Sequence, residues 1–141
     1  MRYIKMYQLL IHEDAERDLG DLLADDPVNS RLVEAFIEDL ADDQDALASM
    51  VRHQAQVKKD GGRWFSVSRL LRTAQWKVLW RLKVWKLNVD DLLDYRLIYT
   101  HDPDDDALIV LAIMRRDRNY EQDTALFGRI GRALRDLGLW P

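Results

Sequence analysis

The sequence contains no cysteine, which excludes a disulfide framework, a thiolate metal site and a thiol nucleophile. Only 3 histidines are present. They are His12, His53 and His101, scattered over unrelated segments, so neither a histidine acid–base pair nor a histidine metal cage is expected. Asp102 to Asp106 is rich in carboxylates but lacks the glycine and the distal glutamate of a calcium loop, and it reads as a turn. No metal and no cofactor are expected. No apolar stretch approaches the roughly 18 residues of a spanning helix, and the apolar run after Met1-Arg2-Tyr3-Ile4-Lys5 is broken by His12, Glu13 and Asp14. Membrane insertion and secretion are therefore unsupported, and a cytoplasmic location is the default expectation.

What is present is a chain of 141 residues, 48% hydrophobic, with a formal net charge of -4. That length supports one cored domain over residues 1–141. The net charge conceals a segregation. Residues 1–50 hold 4 basic and 13 acidic residues, whereas Val51 to Val89 hold 10 basic residues and a single acid, Asp60. Because distant charges are screened within about 8–10 Å, the field near that segment is set by its own cations. An anionic, phosphate-rich partner suits it, although acidic helices packed nearby would also balance it.

The pattern along the chain predicts strand, two helices, three strands, helix. Tyr3 to Ile11 reads as a first strand, and a helix is expected from near Glu13, with Leu19, Leu22 and Leu23 at helical spacing up to Asp25-Asp26-Pro27. A second helix follows, its stripe made by Val28, Leu32, Val33, Phe36, Ile37 and Leu40. Ala46 to Gln56 could prolong it, and Asp60-Gly61-Gly62 is the clearest turn signal. Trp76 to Leu87, Tyr95 to Thr100 and Ala107 to Met114 then read as three antiparallel strands. Leu126, Phe127, Ile130, Leu134 and Leu137 mark a terminal helix, with Gly138 as its C-cap. The expected class is α+β: a small twisted antiparallel sheet with an N-terminal helical hairpin packed on it and a C-terminal helix.

Within this order, Leu79-Trp80-Arg81-Leu82-Lys83-Val84, Tyr95-Arg96-Leu97-Ile98-Tyr99 and Leu111 to Tyr120 resemble the second strand, the third strand and the fourth strand with its following loop in the RelE/ParE superfamily of toxins from type II toxin–antitoxin systems. The resemblance covers nearly the whole chain. It implies an activity like that of the RelE members: endoribonucleolytic cleavage of mRNA on the ribosome without a metal, with inhibition of translation. It also implies a cognate antitoxin whose extended or helical segment covers the basic face. By the same resemblance the catalytic set is Arg81, Lys83, Arg96, Arg116 and Tyr120. Lys83 would be the base, Arg96 and Arg116 the phosphate stabilisers, and Tyr120 a stacking platform. The connection from Lys83 to Tyr95 is longer than a tight hairpin, so Lys86 could replace Lys83, and Arg115 could replace Arg116. Arg69, Arg72, Arg115 and Arg118 are further candidates for RNA contact.

The chemistry makes these residue types reasonable. Cleaving RNA through its own 2′-hydroxyl requires a base, charge stabilisation on the phosphorane and support for the leaving 5′-oxygen. Arginine meets phosphate with a planar fork, and a lysine beside other cations loses its proton more readily. Strand alternation places Arg81 and Lys83 on one face, with Arg96 within reach on the next strand. Taken singly, each of these residues could equally sit in a surface ion pair. Trp76, Trp80 and Trp85 could stack on bases, but at least two are expected in the core. Two other functions fit the same fold: a ParE-like inhibitor of DNA gyrase, and a non-catalytic protein-binding module.

Overall fold

A computed structural model describes residues 6–70, 79–87, 89–117 and 123–139. The elements are β1 (Gln8–Ile11), α1 (Glu13–Asp25), α2 (Pro27–Ala41), α3 (Gln44–Ser49), β2 (Gln56–Lys59), β3 (Gly62–Arg69), β4 (Leu79–Trp85), β5 (Leu92–Asp102), β6 (Ala107–Arg115) and α4 (Thr124–Asp136). They form an α+β fold around one sheet of order β1-β6-β5-β4-β3-β2.

Local chemistry accounts for the element ends. His12 caps α1 by accepting from the Asp14 amide. Asp26 closes α1 and opens α2, its carboxylate accepting from the Asn29 amide while Pro27 takes the first helical position, where a missing N–H costs nothing. Gly138, at φ 73°, terminates α4 in the left-handed conformation expected of a C-cap glycine.

Two expectations from the sequence need correction. The sheet is mixed, because β1 runs parallel to β6 with Gln8 opposite Ala107 and Val110 opposite Ile11. Turn signals fix orientation only between strands adjacent in sequence, and β1 meets β6 across an interval that holds three helices and four strands. Nor does the second helix continue to Gln56. After α3 the backbone breaks at Gln54 (φ 62°), and β2 and β3 form a hairpin through Asp60 (φ 53°) and Gly61 (φ 81°). Positive φ at both central turn residues is the geometry that matches strand twist.

The sheet is covered on both faces. On one, Leu22, Val33, Phe36 and Leu40 of the helical hairpin meet Trp80, Leu82, Leu97 and Tyr99, with Trp64 and Phe65 packed edge to face against Phe36. On the other, Leu126, Ile130 and Leu134 of α4 meet Leu79, Ile98, Ile109, Leu111 and Met114. Ala107 to Met114 of β6 are all buried, as expected of a central strand with both faces covered. No helix among the described residues is long and apolar enough to cross a membrane.

Candidate functional site

The site is built from the face of the sheet that α4 covers in part. Along β4 the side chains alternate: Trp80, Leu82 and Val84 enter the helical-hairpin core, while Arg81 and Lys83 are half-buried on the opposite face. Lys83 lies directly opposite Arg96 of β5 on one side and Ser66 of β3 on the other, and Arg81 lies between Ile98 and Ser68. Like charges placed directly across a strand pair repel. The sheet enforces this contact because the alternate residues on the same strands, Leu82 and Leu97, are fully buried in the opposite core.

Arg116 joins from the end of β6. Its amide donates to the Asp94 carbonyl at 2.6 Å, and its guanidinium lies 3.9 Å from the Asp94 carboxylate. The four cations interact electrostatically. Partial burial holds the Lys83 ammonium pKa below the ordinary lysine value, and Arg81, Arg96 and Arg116 lower it further. A primary amine in this setting can take up a proton at milder pH than an isolated lysine.

The other predicted residues are placed elsewhere. Arg115 points away from the cluster, pairs with Asp117 (3.2 Å) and acts electrostatically on Tyr95 and Asp26, on the helical-hairpin side. Arg69 lies over the Trp80 ring at 4.8 Å, also outside the cluster. Lys86 sits in the loop between β4 and β5, its amide held by the Asp91 carbonyl at 2.7 Å, and lines a cleft that also includes Arg116. Trp80 is a core residue stacked near Tyr99, and Trp85 is half-buried. Arg72, Trp76, Arg118 and Tyr120 lie outside the described residues. Among the described residues there is no group of histidines and carboxylates arranged to hold a metal ion.

Three supports escaped the sequence reading. Ser66 and Ser68 flank Lys83 and Arg81 on β3, and their Ser-Val-Ser alternation was the available signal. Asp94 tethers Arg116 through both backbone and side chain. Asp18 of α1 accepts from the Ile113 amide at 3.0 Å and from both terminal nitrogens of Arg129 at 2.7 and 2.8 Å. It thereby pins α4 and the end of β6, two residues before Arg115. One carboxylate among the many of the first fifty residues carries no mark of this role.

No curated protein matches the chain. In fold it is similar to a chain of the RelBE2 toxin–antitoxin complex from Mycobacterium tuberculosis, at 17% identity and a TM-score of 0.43 over 79% of this chain and 100% of that one. It is likewise similar to a chain of the archaeal RelE–RelB complex from Pyrococcus horikoshii, at 18% identity and a TM-score of 0.42 over 81% of this chain and 99% of that one. The sequence profile of the ParE toxin of type II toxin–antitoxin systems matches residues 9–120, and the chain thus belongs to that toxin family, within the RelE/ParE superfamily.

Proposed function

We propose that this toxin is an endoribonuclease that cleaves mRNA on the ribosome through the cluster of Arg81, Lys83, Arg96 and Arg116. The observation that carries the reading is the position of Lys83, directly across from Arg96 with its pKa lowered by burial and by three guanidiniums. In the proposed step the Lys83 amine takes the proton of a ribose 2′-hydroxyl as that oxygen bonds to the adjacent phosphorus. Arg96 and Arg116 stabilise the charge that builds on the phosphorane, and Arg81 supports the 5′-oxygen as its bond to phosphorus breaks. The departing oxygen receives a proton from Lys83 or water. The products are a 2′,3′-cyclic phosphate and a 5′-hydroxyl. Roles for Arg118 and Tyr120 rest on the family resemblance alone. As a type II toxin the protein is expected to be held by a cognate antitoxin, and an antitoxin segment lying over the cationic face would block the same groups.

The ParE family match favours a second reading, inhibition of DNA gyrase by protein binding without cleavage. Two assays separate them. In a reconstituted translation reaction, primer extension should reveal new message ends with the wild type and none with Lys83→Ala. Purified gyrase should keep supercoiling DNA in the presence of the toxin. Intact message together with blocked supercoiling would replace the first reading by the second.

A further inference from the structure

The rows of the sheet fix what borders the cation cluster on the side of the β2–β3 hairpin. One row runs Gln56, Ser66, Lys83, Arg96 and Met114 from β2 to β6, each residue directly opposite the next. The neighbouring row runs Ser68, Arg81, Ile98 and Ala112. Directly opposite residues share a face of the sheet, so β3 sets two short hydroxyl side chains beside the two long cations of β4. Val67, between the serines, turns into the opposite core with Leu82. The α4 helix packs at the other end of these rows, on Ile98, Ala112 and Met114. Ser66 and Ser68 are partly buried and Gln56 is exposed.

The difference in side-chain length makes a trough over β3. Strands in a sheet lie about 4.8 Å apart, so the span from Gln56 to Lys83 across Ser66 is roughly 9–10 Å, wide enough for a furanose ring. The floor is the pair of serine hydroxyls, one wall is Lys83 with Arg81, and the other is Gln56. Floor and outer wall carry no charge, and the guanidiniums of Arg96 and Arg116 lie beyond Lys83, so a phosphate is drawn there and not into the trough. A base finds no open aromatic face to stack on: Trp64 and Phe65 belong to the opposite core, and the Arg63 guanidinium covers the Trp85 ring at 4.8 Å. Hydroxyls and a side-chain amide both donate and accept. The part of a nucleotide that matches them is the sugar. Position then selects which sugar. A ribose whose 2′-hydroxyl reaches Lys83 while its 3′-phosphate reaches Arg96 and Arg116 is the one on the 5′ side of the scissile bond, and it lies over β3.

We infer that Ser66 and Ser68 hold this ribose, with Ser66 donating to the 2′-oxygen and leaving its proton for Lys83, so that the β2–β3 hairpin carries the message upstream of the cut and distinguishes RNA from DNA. This rests on the cleavage reading for the choice of polymer, but binding tests it without any cleavage. The probes are a short fluorescein-labelled oligouridylate and its 2′-deoxy counterpart, titrated against the intact toxin and followed by anisotropy. The RNA strand should bind about fivefold more tightly, the scale of one neutral hydrogen bond to the 2′-oxygen. Ser66→Thr keeps the hydroxyl and should keep that ratio. Ser66→Val has the same shape without the hydroxyl and should bring the ratio to one, leaving the affinity for the DNA strand unchanged. Because both replacements favour a strand equally well, a change of fold cannot separate them. Equal binding of the two strands by wild type, binding of neither, or the same ratio in the two variants would overturn the ribose contact. Message cut equally fast by the two variants would also overturn it while the cleavage reading stands. If Ser66→Val alone loses the sugar preference yet the wild type leaves translated message intact, the ribose contact stands and the cleavage reading falls.

Discussion

Replacing Asp18 by alanine should destabilise the protein by about 3 kcal/mol, because three donors on two other elements lose their acceptor at once. Asp18 and Arg129 are 17% and 26% exposed and make two hydrogen bonds of 2.7 and 2.8 Å, while the Ile113 amide donates to the same carboxylate at 3.0 Å. The magnitude follows from the parts. A buried amide without an acceptor costs about 1–3 kcal/mol, and a charge-assisted hydrogen bond contributes about 1.5–3 kcal/mol before allowance for the residual exposure of this pair. These terms are not additive, since Arg129 can swing toward solvent once released. Ile113 cannot, because β1 pairs with β6 only as far as Val110 and leaves that amide dependent on Asp18. Asp18→Asn, which keeps an acceptor for Ile113 and loses the charge, should cost about half as much. With an m-value of about 1.5–2 kcal/mol/M for a domain of this size, urea denaturation followed by far-ultraviolet circular dichroism should show a midpoint lowered by about 1.5–2 M for the alanine variant. A double-mutant cycle with Arg129→Met isolates the ion pair and should return a coupling of at least about 1 kcal/mol. A midpoint within about 0.3 M of wild type, or strictly additive single effects, would show that Asp18 does not clamp α4 to the sheet.

Further outcomes concern the cation cluster. Arg96→Ala should reduce message cleavage by about 10²–10³, the scale for loss of one preorganised donor; a primer-extension time course measures it. The cleavage rate should rise with pH as Lys83 loses its proton. Arg116→Gln should shift that rise to higher pH because removing a neighbouring cation raises the lysine pKa again. Lys83→Arg, which keeps the charge but cannot deprotonate, should abolish the rise altogether, and a variant that cuts as fast as wild type would remove Lys83 as the base.

The parts of the fold legible in the sequence were those whose burial is periodic and local. The stripes of α1, α2 and α4 and the apolar runs of β5 and β6 each record which face meets the core. The β2–β3 hairpin was hidden for the opposite reason. Gln56-Val57-Lys58-Lys59 is a four-residue edge strand with a single apolar side chain, and the break at Gln54 is a backbone conformation that glutamine does not announce. The parallel pairing of β1 with β6 was hidden because the two strands are far apart in the sequence, with four other strands between them. At the site, strand alternation sufficed to bring Arg81, Lys83 and Arg96 together, since their neighbours Leu82 and Leu97 fix the phase. It could not choose between Arg115 and Arg116, which fall where β6 ends. The choice is made by the Asp94 carbonyl, which takes the Arg116 amide, and by Asp117, which takes the Arg115 side chain. Lys86 was separated from Lys83 only by the observed register, in which Lys83 faces Arg96 and Lys86 begins the loop.

The ion pairs themselves distinguish arginines that hold the fold from those available to a ligand. Arg129 meets Asp18 through two short bonds in a mostly enclosed setting, and separating them would leave a charge and a strand amide without partners, so no ligand anion can displace that carboxylate cheaply. Arg116 meets Asp94 at 3.9 Å, with the two side chains 36% and 54% exposed. A contact of that length and exposure contributes little in water. A phosphate can therefore take the guanidinium from Asp94 at small cost, whereas the backbone bond from the Arg116 amide to the Asp94 carbonyl keeps the arginine in place during the exchange. The repulsion among Lys83, Arg96 and Arg116 acts in the same direction, because a bound anion would relieve it. Two apolar cores, one on each face of the sheet, supply the rigidity that holds such a cluster together against its own repulsion.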